Sequence, residues 1–246
     1  MRALLLTVLA LTASPALAQE RMVATNMDVR TILAFKVSDA AVQKLLPPGW
    51  AVNPGTGPSA GANLRVTFAD QMAQTDAAGK PLPPVRNLIF GIPAKRDGVP
   101  AALMVFLSLS SGAGGPYGTG VKSTNTVERK VTHATGQPSL SDEAWEYKSE
   151  GGQTASLQVQ YVRGTPVSDK SELRVYSQLK PEFFRIYRYE QGVDVVLGAD
   201  GNTDRLKKVT FKASGDKLSP LFDGSEKLVS LVSYPWYQRQ IYLPGS

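Results

Sequence analysis

The chain predicts a mainly β protein closed into a small barrel, and three features carry that expectation: strands with period two, glycine turns between them, and one short helix. Asn63 to Asp70 (NLRVTFAD) sets Leu64, Val66 and Phe68 on one side. Thr154 to Arg163 (TASLQVQYVR) sets Ala155, Leu157, Val159 and Tyr161 opposite Ser156, Gln158 and Gln160. Successive side chains of a strand point to opposite faces, so this alternation marks half-buried strands. Ala101 to Leu109 (AALMVFLSL) is apolar on both faces and reads as a central strand, with VRNLIFGI, VTFKA and KLVSLVSY as further candidates. The pairs Asp97-Gly98, Gly151-Gly152, Asp200-Gly201 and Asp223-Gly224 supply turns.

The helix is specified by VSDAAVQKLLPPGW. Ser38 is an N-cap residue, Val37 and Val42 stand at the positions of a hydrophobic staple, and Val42, Leu45 and Leu46 form an apolar face before Pro47 and Pro48 stop it. KPEFFRIYRYEQG, from Lys180, fits either a strand or a brief helix, and its aromatics read as core.

Residues 1–18 (MRALLLTVLALTASPALA) read as a cleavable signal peptide: one arginine, an apolar run from Ala3 to Ala13, and small residues at Ala16 and Ala18. The run is too short to span a bilayer, and no later apolar segment approaches that length. The expectation is a periplasmic or secreted protein with one domain over residues 19–246, without repeat or low-complexity linker.

The chain has no cysteine and one histidine, His133, which excludes thiol nucleophiles, cysteine-bound metals and multi-histidine metal sites. No cofactor and no metal are expected. Net charge is +6 for the 246 residues, scattered without a run of lysines and arginines. That excess suits solubility or attraction to small anions better than nucleic-acid binding. A serine-hydrolase reading would rest on His133 alone, without a GxSxG elbow. Asp200, Asn202 and Asp204 begin like a calcium loop, but Arg205 stands at the glycine position and Phe211 at the glutamate position, so a polar hairpin turn is expected. Asp142, Glu143 and Glu146 are close in sequence, as a solvated helical turn or a strand entry.

The stretch GAGGPYGTGVKSTN, Gly112 to Asn125, leads five glycines and a proline into Lys122. Gly115 and Gly120 have P-loop spacing, yet Val121 intervenes before the lysine, and STNTV is extended rather than helical. The dinucleotide fingerprint also fails, at Tyr117. If Val121 to Val127 is a strand, Lys122, Thr124 and Thr126 share one face. Lys122 is then either an ordinary lysine on the wet face or an amine inside a cavity. Only in the second case would burial lower its pKa enough for attack on a ketone.

The run FKVSDAAVQKLLPPGWAV, a strand ending in Ile92-Pro93, a central apolar strand and a glycine-rich loop delivering a lysine together resemble the acetoacetate decarboxylase-like family. The resemblance implies a closed β-barrel, antiparallel or mixed, around a small-molecule cavity, in which a lysine forms an imine with a β-keto acid and carbon dioxide is lost. It implies Lys122 as the imine-forming residue, Arg86 or Asn87 orienting a carbonyl or carboxylate ligand, and Tyr117 closing the loop. It departs from the family at two points: Ser123 follows Lys122 where a second, activating lysine would stand, and Asn87 stands nearest the family's cavity glutamate. The expectation is therefore a Schiff-base lyase if Lys122 is buried. The alternative is a non-catalytic small-molecule binding protein that kept the barrel and lost the chemistry.

Overall fold

The computed structural model describes residues 19–110 and 115–245. The leader read at 1–18 lies outside them, as do residues 111–114 of the glycine-rich stretch. In chain order the elements are β1 (Arg21–Lys36), α1 (Asp39–Gln43), β2 (Trp50–Val52), β3 (Leu64–Asp76), β4 (Pro81–Leu82), β5 (Val85–Arg96), β6 (Val99–Leu109), β7 (Gly120–Thr132), β8 (Leu140–Ser149), β9 (Thr154–Val162), β10 (Val167–Ser177), β11 (Phe184–Leu197), β12 (Leu206–Ser214) and β13 (Lys227–Leu243). The strands expected from alternation all form, and the ambiguous segment after Lys180 becomes β11. Its β-branched and aromatic residues favour the pleated state once both edges are paired, with β10 and β13.

All thirteen strands belong to one sheet, whose pairings close on themselves. The order β1–β3–β5–β6–β10–β11–β13 returns to β1, so these strands form a hydrogen-bonded ring. The remaining branch β7–β8–β9–β12 leaves from β6. That division is possible because one edge of β6 is shared: Ala102 to Met104 pair with β10, and Leu107 to Leu109 pair with β7. The sixteen-residue β1 and seventeen-residue β13 bend through register shifts, one of them between Asp28 and Arg30. Such bulges add twist and let long strands curve. Asp97 at φ 51° and Gly98 at φ 77° make the tight turn between β5 and β6.

The two faces of the shared wall bury different cores. Leu33, Leu64, Phe68, Leu88 and Phe90 pack against Trp145, Tyr147, Leu157 and Val159 of the branch. The smaller core, on the opposite face, gathers Met104, Leu107, Tyr117, Val175, Tyr187 and Ile241. β6 feeds both, with Leu103 in the first and Met104 in the second, which is why its sequence is apolar without alternation. In α1, Ser38 Oγ accepts from the Ala41 amide at 3.4 Å, and Val42 is buried against the larger core.

Candidate functional site

From Gly115 onward, the glycine-rich stretch is anchored by Tyr117 rather than by Lys122. Gly115 and Gly118, at φ 60° and 71°, turn the chain so that Tyr117 enters the smaller core. There its hydroxyl lies 2.5 Å from that of Tyr187, its carbonyl accepts from Ser177 Oγ at 2.6 Å, and its ring meets Phe183 edge-on. Burial, then the neighbouring Tyr187, hold the Tyr117 phenol well above its ordinary pKa, so it stays a donor.

Lys122 lies in β7 on the exposed row with Thr124 and Thr126. Its side chain is 56% exposed, and Nζ is 2.8 Å from Glu150 Oε1. The hydrogen bond and the charge of Glu150 raise its pKa. Imine formation needs the neutral amine, whose population falls as the pKa rises above the working pH. The burial on which the lyase reading depends is therefore not found at Lys122. With pyruvate or acetoacetate and borohydride near neutral pH, peptide mapping is expected to show no reduced adduct at this residue. An adduct there would restore the lyase reading.

Arg86 and Asn87, neighbours on β5, point to opposite faces. Asn87 donates from Nδ2 to Gln71 Oε1 at 3.0 Å, and its own Oδ1 is buried without a hydrogen-bond partner. Arg86 stands opposite Asp70 of β3. Its Nε lies 2.9 Å from Asp70 Oδ1, an ion pair by distance, although the N–H is not aimed at that oxygen. Arg129 of β7 donates from Nη2 to Asp70 Oδ2 at 2.6 Å, with its guanidinium 5.7 Å from the Trp145 ring. The Arg86 carbonyl accepts from Asn125 Nδ2 at 2.7 Å, and Asn125 Oδ1 has no partner.

Asp70, Arg86, Asn125, Thr126, Val127 and Arg129 thus line a cleft of about 480 Å³ where β7 crosses the rim of the ring. It carries two guanidinium charges against one carboxylate. Asp70 is nearly buried, whereas the Arg86 side chain is 40% exposed, so donor capacity is left over for a ligand. The four residues expected from sequence therefore lie apart: Arg86 in the cleft, Asn87 beside Gln71, Tyr117 in the smaller core and Lys122 on the surface. Asp70 and Arg129 escaped sequence reading. The available signal was periodicity, since Asp70 continues the buried row of Leu64, Val66 and Phe68.

A second polar centre lies within the larger core. Glu143 is buried at 3% exposure, on the inward row of β8 with Trp145 and Tyr147, while Asp142 and Glu146 face solvent. Its Oε2 accepts from Thr31 Oγ1 at 2.7 Å and Trp145 Nε1 at 2.9 Å, and its Oε1 from the Tyr161 hydroxyl at 2.9 Å. The Tyr161 oxygen is also 2.8 Å from Ser233 Oγ. The charge is held by hydrogen bonds alone, without a cation among the described residues. His133 is exposed and meets Ser139 Oγ at 2.7 Å, and Asp200 closes a polar turn onto the Asn202 amide.

No family model matches the chain, and no curated protein matches it in sequence. Solved structures do match its shape. The enduracididine biosynthesis enzyme MppR, complexed with pyruvate, is 14% identical at a TM-score of 0.53, covering 95% of this chain and 91% of its own. The acetoacetate decarboxylase of Legionella pneumophila is 11% identical at 0.51, covering 98% and 96%. An acetoacetate decarboxylase-like enzyme of Sphingomonas wittichii is 10% identical at 0.51, covering 98% and 100%. At these identities the likeness speaks of architecture, and the chain has the fold of the acetoacetate decarboxylase-like proteins.

Proposed function

We propose that this chain is a binding protein for a small carboxylate compound, such as a keto acid, that keeps the acetoacetate decarboxylase-like fold without imine chemistry. The observation that carries the reading is the cleft in which Arg86 and Arg129 converge on Asp70. Asp70 fixes both guanidinium groups but balances only one charge, so a carboxylate ligand completes the balance through charge-assisted hydrogen bonds. The absence of nucleophile activation supports the binding reading over the lyase one, because Lys122 is exposed and paired with Glu150. A fold neighbour in complex with pyruvate is consistent in ligand class with that choice. Export belongs to the same proposal and is carried by the leader at residues 1–18; amino-terminal sequencing of the secreted protein beginning at Gln19 would check it.

Calorimetric titration with pyruvate and acetoacetate tests the cleft. Substituting both Arg86→Gln and Arg129→Gln is expected to weaken binding at least ~30-fold, the loss of two charge-assisted contacts. Lys122→Ala should leave affinity unchanged. Full affinity in the double variant, or its loss in Lys122→Ala, would overturn the proposal.

A further inference from the structure

Two cations outside the cleft have no carboxylate to answer them. Arg239 of β13 is 9% exposed, and among the described residues only its Nε finds a hydrogen-bond partner, Asn26 Oδ1 at 2.6 Å. Its guanidinium stacks 4.6 Å from the centroid of the Tyr187 ring. Its Nη1 and Nη2 have no hydrogen-bond partner among the described residues, so their N–H donors are free to take an oxyanion side-on. Arg185 of β11 has a buried Nε with no partner. It precedes Tyr187 by two positions on the same strand face, and Tyr187 in turn pairs across to Ile241, two residues from Arg239. Arg239 lies over the Tyr187 ring and Arg185 stands two residues along the same strand face, so both charges flank the paired phenols.

The acids nearby are already engaged. Asp28 accepts from Arg30 at 2.8 and 2.7 Å, and Asp169 accepts from Gln191 at 2.8 Å. Neither Arg185 nor Arg239 forms an ion pair with a described residue. Enclosed N–H groups of an uncompensated guanidinium are costly, as at Arg239 and at the Nε of Arg185. An anion of matching charge would relieve both. The Tyr117 and Tyr187 hydroxyls share one hydrogen between them, which leaves one O–H to donate.

We propose that Arg185 and Arg239, with the hydroxyls of Tyr117 and Tyr187, form a second binding site, distinct from the Arg86–Arg129 cleft, for a compact dianion of the phosphate or short dicarboxylate kind. The charge count selects a dianion over a monoanion, because two guanidinium groups meet no protein carboxylate. The adjacent free nitrogens of Arg239 select paired oxygens.

The test is titration of the mature protein with inorganic phosphate, with malonate, and with acetate as a monoanion, at matched ionic strength, by calorimetry and by thermal shift. Binding of phosphate or malonate, tenfold or more tighter than acetate on the charge argument, is the expected result. Whichever dianion binds identifies the source. Arg239→Gln and Arg185→Gln should each weaken it about tenfold or more, and Tyr117→Phe, which removes only a hydroxyl, about threefold or more. In the variant with both Arg86→Gln and Arg129→Gln, whose cleft no longer takes a carboxylate, the dianion should still bind about tenfold or more tighter than acetate, which separates this site from the cleft. Equal binding of acetate and dianion in the Arg86/Arg129 variant, no binding of either dianion at millimolar concentration, or loss of dianion binding in that variant would each overturn the proposal.

Discussion

Glu143→Leu is expected to destabilise the protein by about 3–5 kcal/mol, read as a lower midpoint of urea unfolding at unchanged slope. The carboxylate accepts from three donors in the larger core: Thr31, Trp145 and Tyr161. A leucine of similar size fills the volume but leaves those donors unpaired in an apolar interior, and each orphaned donor costs about 1–3 kcal/mol. Tyr161 keeps part of its satisfaction through Ser233, so the loss falls mainly on Thr31 and Trp145. Tyr161→Phe should accordingly cost less, about 1–2 kcal/mol, because Glu143 retains the two donors on Oε2. The network joins β1 to β8 and β9, so it ties the ring to the branch. An unchanged midpoint for Glu143→Leu would show that the carboxylate holds nothing together. The Tyr161 phenol is itself displaced above its ordinary pKa, by burial and then by the Glu143 charge, so it remains a donor throughout the neutral range.

β8 and β9 were legible because one face of each is buried while the other reaches solvent. Both alternate along their length, and a period-two pattern survives any context that keeps one face in a core, whereas β3 is buried on both faces from Val66 to Gln71. The resemblance to the acetoacetate decarboxylase-like family led to the architecture as well, and the solved neighbours bear it out at the level of fold. What the sequence could not supply was which distant rows meet. Glu143 is one of three acids in SLSDEAWEY, and only strand geometry separates it from its solvent-facing neighbours. Its partners Thr31 and Tyr161 lie 112 and 18 residues away. Arg86 could be named from its place beside Asn87, whereas Arg129 could not, since it reaches Asp70 only through the crossing of β7 over the rim. For Lys122 the decisive fact is the face of a strand, and the local sequence VKSTNTV is ambiguous there: both rows carry polar residues. The partner that raises its pKa, Glu150, lies beyond the end of β8 and is brought close by the β7–β8 pairing.

Phe68→Ala is expected to cost about 3–5 kcal/mol, as other large-to-small changes at fully enclosed aromatic sites do. Phe68 is 0% exposed, and its ring lies 5.7 Å from Trp145, 5.7 Å from Tyr147 and 6.2 Å from Phe211. It stands on β3 of the ring, while its neighbours stand on β8 and β12 of the branch, so the contact is between layers and the void cannot close by a local shift. Phe35, Phe90 and Phe222 continue the same cluster, with Phe211 and Phe222 centroids 5.0 Å apart. Aromatic side chains thus occupy much of the space between the layers, and Tyr147, Phe211 and Phe222 border a cleft of about 840 Å³. An apolar void of phenyl size, lined by such residues, stays dry and accepts a small aromatic molecule. Benzene should therefore raise the melting temperature of Phe68→Ala and leave the parent protein unchanged, since a ligand stabilises only a state that has room for it. A loss below about 1 kcal/mol, or a parent that responds to benzene as strongly as the variant, would mean that the layers are not packed as described. The same filling explains where a carboxylate can be taken. With much of the interior between the layers occupied by phenyl rings, charged groups with spare donors are left at the rim, where Arg86 and Arg129 meet over Asp70.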